Sequence, residues 1–392
     1  MGRAYAAQRN YDRGPGRHTG VSGLSPYLRR RLVTDEEAVA AALGAHGAVA
    51  AEKFIQEVFW RSYFKGWLER RPSVWRAYVD GLAEDRARLE REPGLAAEIA
   101  AAEAGRTGLE PFDAWAHELN ETGYLHNHAR MWFASIWIFT LNLPWRLGAD
   151  FFMRRLLDGD PASNTLGWRW VAGLHTRGKA YAARAANIAK YTEGRFVVGP
   201  ERIGEAVPLE EEEEEAPPPA QAPRAPAAPD PSAPSVLLIT EEDCRFEESL
   251  SAAGFAPERF RAAAILPATA LRSETPGAEA VAVFERGALS DQAARLSALG
   301  APDPVELSAA APEAIASWAR EAGAAQIVTG FTTIGPLKDR LDAAAPALAT
   351  AGLRFAELQR RWDALIWPHA SAGFFKVKQK IPRLLSELLL DE

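Results

Sequence analysis

A single cysteine, Cys244, among 392 residues excludes a disulfide framework and any zinc or iron–sulfur site built from the cysteines of one chain. There is no Gly-x-Gly-x-x-Gly turn and no P-loop, so nucleotide binding through either loop is not indicated. The first residues hold no apolar signal core, and the longest apolar run, around 131–143, is too short to span a bilayer. A cytoplasmic protein without a membrane segment is expected. A strong excess of one charge is also lacking, since 45 basic residues face 52 acidic ones.

The balance is uneven along the chain. Residues 1–200 carry 27 basic and 22 acidic side chains, 201–235 carry 2 and 9, and 236–392 carry 16 and 21. A mildly basic first part permits an anionic partner without demanding one. Tryptophan is plentiful: nine of the 12 lie before residue 200. Composition alone favours core filling over a cofactor pocket as the reason.

Residues 1–18 are polar and hold Arg3, Arg9, Arg13 and Arg17, which reads as a flexible basic arm. Ser25-Pro26 reads as a hydroxyl cap and first-turn proline, and Thr34 with Glu37 as a capping box. Helical periodicity recurs over 53–70, 73–89, 111–121, 126–141 and 144–157 with no strand-like run between, so the first domain should be all-helical. Residues 201–235 join an acidic run, 210–215, to a Pro- and Ala-rich stretch and read as a disordered linker. Beyond it, strand-like runs at 236–240, 280–284 and 326–330 alternate with helical ones at 291–299, 312–322 and 336–351. This pattern predicts a three-layer α/β, Rossmann-like domain with a mostly parallel sheet. The division is therefore 1–200, 201–235 and 236–392.

The most informative stretch is 122–170. Asn127 and Met131 share a helical face, with Arg130 beside them. Arg130 and the loop Asp158-Gly159-Asp160 both sit in apolar sequence, and a buried arginine needs a carboxylate. Glu57, Trp60 and Arg61 lie at i, i+3 and i+4, which alone would be a solvated helix contact.

Together these residues resemble the flavin-holding core of the DNA photolyase and cryptochrome superfamily. The resemblance runs from Gly20 through Ser22, Leu24 and Ser25, through Glu57, Trp60 and Arg61, and from His126-Asn127 and Arg130-Met131 to Asp158, Asp160, Asn164, Trp168 and Trp170. It implies FAD as cofactor, with Ser22, Leu24 and Ser25 at its phosphates. Asp158, Asp160, Arg130, Arg61 and Asn164 complete the flavin site, with Asn164 facing N5. It further implies light-driven electron transfer to cyclobutane pyrimidine dimers in single-stranded DNA or damaged duplex, a lyase activity. Glu57, Trp60, Asn127, Met131 and Trp170 would receive the lesion, and Trp168 and Trp145 would carry electrons. No metal is implied. The alternative within the superfamily is a cryptochrome-like blue-light receptor that signals to a protein partner without repair.

Several positions depart from the family pattern. Val21 and Gly23 replace a threonine and an arginine, His128 replaces a basic residue, and Ala102 stands where the outer electron-transfer tryptophan is expected, leaving Trp132 and Trp137 as substitutes or as core. His126 and His128 are displaced from the histidine positions of adduct-repairing members. More faintly, 236–240, 337–367 and 374–376 resemble the family's antenna domain, placed after the helical domain instead of before it.

Overall fold

A computed structural model describes residues 1–176, 178–210, 218–309 and 311–389. Most of the acidic run, 211–215, therefore lies outside the described residues. The chain forms two compact units, and neither is contiguous: residues 1–23, 42–55 and 71–220 make the first, and 24–41, 56–70 and 221–392 the second.

The described residues of the first unit form helices joined by turns and coil, with no strand among them. Helices Pro72–Arg91, Pro93–Glu103, Glu110–Thr122 and Pro161–Ala172 all begin with proline in the first turn, where the missing N–H costs nothing. Gly123 and Gly173 stop two of them in left-handed conformation. Helix Asn127–Ser135 runs into a π-helical turn, Ile136–Thr140, and Trp145–Arg155 follows. Trp115, Trp132, Trp137, Phe112, Phe133 and Phe151 are fully buried, so much of the tryptophan excess is core.

Residues 1–18 are not a free arm. Arg3–Gln8 is helical, and Asp12 is completely buried, accepting hydrogen bonds from Trp115 Nε1 at 2.8 Å and Arg195 Nη2 at 2.5 Å.

The second unit is built on five parallel strands: β1 (Ser235–Ile239), β2 (Ala263–Ile265), β3 (Pro304–Glu306), β4 (Gln326–Gly330) and β5 (Arg354–Leu358), in the order β3-β2-β1-β4-β5. Val236 and Leu238 enter one apolar cluster and Leu237 and Ile239 another, as alternation along a doubly covered strand requires. The predicted strand at 280–284 is instead the start of helix Glu279–Ala298. Its β-branched valines misled the reading, and twenty helical residues overrode them. The linker is not free coil where it is described. Gln221 N donates to Arg70 O, Arg224 pairs with Glu357, and Asp230 N donates to Gln326 Oε1.

Helix Asp35–Glu69 starts with the expected capping box at Thr34 and Glu37 and is kinked at Gly47. The expected hydroxyl cap at Ser25 is absent: Leu24 occupies the cap position and Ser25 begins the helix. By length and composition alone Asp35–Glu69 is the one described helix that could cross a membrane. Its last third, however, is part of the second unit's core. Phe59 meets Trp362 at 4.8 Å, Ser62 accepts from Trp362 Nε1 at 2.5 Å, and Glu69 accepts from Ile334 N at 2.7 Å. A Cβ on Gly66 would lie 2.7 Å from the Trp367 ring, so glycine is what admits that indole.

Candidate functional site

The helix Pro161–Ala172 and the loop before it organise the candidate site in the first unit. Asp160 caps the helix, its Oδ1 accepting from Ser163 N at 2.8 Å. Arg130 Nη2 donates to both oxygens of Asp158 at 3.1 and 2.9 Å, while its Nε donates to Leu125 O at 2.8 Å. Arg130, half-buried rather than buried, thus pairs with the expected carboxylate. One turn into the helix, Asn164 is buried and its Nδ2 donates to Ala149 O at 2.8 Å, which fixes the carboxamide. On the same helix Thr165 Oγ1 and Trp168 Nε1 are buried without hydrogen-bond partners in the protein. Two oriented carboxylates, a fixed carboxamide and two unsatisfied polar atoms on one element fit a polar, ring-bearing ligand such as FAD.

Asn127 is exposed and Met131 half-buried on helix Asn127–Ser135. Trp170 is half-buried, 5.3 Å from the ring of Tyr181. Trp168 meets Trp137 edge-on at 6.2 Å and Phe152 at 5.1 Å, and a Cβ at Gly148 would lie 2.3 Å from its ring. Trp145 lies 5.8 Å from Tyr78, which lies 5.3 Å from Trp75. Ser22 also belongs to this unit, whereas Leu24, Ser25, Glu57, Trp60 and Arg61 belong to the second. The candidate residues are therefore drawn from both units.

Sequence reasoning missed a polar cluster in the first unit. His18 Nε2 is 2.7 Å from Glu118 Oε1 and its Nδ1 is 3.8 Å from Asp12 Oδ1. Metal-ligating atoms of the three side chains lie within 4.8 Å of one another. Arg195 already pairs with Asp12, so one of the two carboxylates is compensated within the protein. Spacing could not have revealed it, because Glu118 is 100 residues from His18.

His126 stacks on His18 with ring centroids 5.5 Å apart, and its Nδ1 accepts from His128 N at 3.2 Å. Complete burial, only partly offset by Asp12 and reinforced by His18 and His128, holds its pKa at about 4. The native ring is neutral while the unfolded one protonates near its ordinary 6.5. Stability is therefore full above pH 6.5 and lost as pH falls through about 4, by up to about 3 kcal/mol. His126→Asn keeps a capping acceptor without the titration. Thermal melting between pH 7 and 4 should show a shallower decline for the variant; parallel curves would assign the acid sensitivity elsewhere.

Residues 54–195 match the family described as the FAD binding domain of DNA photolyase. A deoxyribodipyrimidine photo-lyase of Streptomyces griseus is 38% identical over 157 residues, covering 40% of this chain and 33% of that protein. The Escherichia coli photo-lyase is 34% identical over 163 residues, covering 41% and 32%. This chain thus spans about a third of the length of these relatives. A bacterial class III photolyase structure from Agrobacterium tumefaciens aligns at 27% identity over 49% of this chain and 39% of that one, with a TM-score of 0.39.

Proposed function

Residues 54–195 belong to the photolyase/cryptochrome superfamily, whose cofactor there is FAD, and from that premise we propose that the chain is a light-driven lyase repairing cyclobutane pyrimidine dimers in DNA. The observation that carries this reading is the Arg130–Asp158 pair set beside the Asp160 cap and Asn164. When bound, reduced FAD supplies the electron that light delivers to the lesion. The remaining work falls to the chain's own side chains.

Asp158 and Asp160 would accept hydrogen bonds from the flavin, and Arg130 orients Asp158 through two hydrogen bonds. Asn164 offers a neutral polar group where a carboxylate would repel added negative charge. Ser22, Leu24, Ser25 and Arg61 would serve the cofactor's phosphates. For the lesion, Trp60 and Trp170 would each offer an apolar face, Asn127 and Met131 further contacts, and Glu57 a hydrogen-bond acceptor. Trp168 and Trp145 would be the redox-active side chains serving the cofactor. The reading places the protein in the cytoplasm with DNA as partner.

Purified protein should be yellow and release FAD on denaturation. Glu57→Ala should slow repair of thymine dimers about tenfold, the worth of one charge-assisted hydrogen bond, while FAD content stays unchanged. An unslowed variant would remove Glu57 from the lesion site. The receptor reading draws on one observation, that the face of Trp60 is covered by Phe374. It would replace repair if illuminated protein leaves dimers intact yet changes its affinity for a protein partner.

A further inference from the structure

The repair reading gives Trp60 a base to stack against, yet its ring already carries a partner within the second unit. Phe374 lies on it with centroids 3.9 Å apart and planes 18° from parallel, the arrangement a nucleobase takes on an indole. The other rings around Trp60 meet it differently: Tyr63 edge-on at 5.4 Å and Phe64 tilted at 5.3 Å. Phe374 itself is 7% exposed.

The residues that follow have the opposite character. Phe375 is 67% exposed, Lys376 and Lys380 are exposed and Lys378 is half-buried, with no acidic residue between 371 and 380. An exposed aromatic among amines suits a single strand, whose bases stack and whose phosphates pair. Val377 is fully buried and keeps the segment seated, so what must turn is the Phe374 side chain.

The geometry points to Phe374 as the residue that decides whether a base reaches Trp60, with Phe375, Lys376 and Lys380 as the adjoining contact for single-stranded DNA. This rests on the repair reading and adds a specificity determinant to it. The phenyl ring stands in for a base, and a strand gains the indole face only by displacing it. A lesion that stacks well displaces it more readily than an undamaged base held in its own stack.

The test is dark binding of a labelled single strand carrying one thymine dimer to the FAD-loaded full chain, followed by fluorescence anisotropy. Phe374→Ala should bind up to about tenfold more tightly than wild type, Phe374→Leu by an intermediate factor, and Phe374→Trp more weakly. The gain should vanish in a Trp60→Ala background. Should the alanine variant fail to fold, the leucine and tryptophan variants carry the same ordering. Lys376→Ala with Lys380→Ala should flatten the salt dependence of log affinity by roughly 1.4. Affinities equal within twofold across residue 374, in variants that keep FAD and the wild-type melting point, would overturn the assignment. So would absence of strand binding in all four proteins. Dark binding needs no photochemistry, so a chain that binds FAD but repairs nothing would fail the function above and leave this test intact.

Discussion

Replacing Glu241 by Gln should destabilise the second unit by about 3–5 kcal/mol, a large part of the stability of an ordinary domain. Glu241 is 4% exposed in the turn after β1 and receives Arg29 Nη2 at 3.3 Å, Arg30 Nη2 at 3.0 Å and Arg272 Nη2 at 3.0 Å. Burial alone would raise its pKa, but Arg272, Arg29 and Arg30 together outweigh burial and hold it below the usual carboxylate range. Neutralising it leaves three guanidiniums buried around a carboxamide, with Glu242 remaining for Arg29 at 2.8 Å. Urea unfolding should report the loss, and Arg30→Met in the same chain should restore part of it, since the two side chains share one contact. The same charge makes acid destabilising: the contribution is full above about pH 4.5 and disappears as pH falls through the lowered folded pKa. A cost below 1 kcal/mol at pH 7 would show that the network is replaceable by water.

Arg130→Met should strip the protein of FAD and cost the first unit about 3 kcal/mol. Asp158 is 8% exposed, and its bridge to Arg130 is the pair that the methionine removes. Arg130 is half-buried and Asp158 buried, so the substitution takes a cation away from a carboxylate largely withdrawn from water, which is costly. Without the two hydrogen bonds from Arg130 Nη2, the Asp158 carboxylate is no longer held in one orientation. Affinity for FAD should fall at least a hundredfold, read by absorbance of the purified protein and by titration of apoprotein. Asp158→Asn tests the other side, keeping the shape and losing the charge. Retained FAD in Arg130→Met would separate the ion pair from cofactor binding.

The Arg130–Asp158 pair was legible because an arginine in apolar sequence needs a carboxylate and the two lie 28 residues apart, although Arg130 itself is only half-buried. Helical periodicity made Pro72–Arg91, Glu110–Thr122 and Trp145–Arg155 legible, whereas Pro93–Glu103 and Pro161–Ala172 were not read as helices. Three-residue strands such as Ala263–Ile265 and Pro304–Glu306 give periodicity nothing to act on, while the valines at 281 and 283 imitate a strand inside a helix. What no local pattern contains is the partnership of 24–41 and 56–70 with the α/β sheet. Glu241 was an ordinary acidic residue until Arg29 and Arg30 met it from 211 positions away or more. Trp60 likewise looked like an open pocket wall, because Phe374 is 314 residues distant in sequence.

The most direct measurement is loss of thymine dimers from single-stranded DNA mixed with reduced, FAD-loaded full-length protein, in blue light and in darkness. Dimers should disappear in the light with turnover, persist in the dark, and disappear about tenfold more slowly with Glu57→Ala. Dimers that persist in the light while FAD stays bound and reduced would contradict repair.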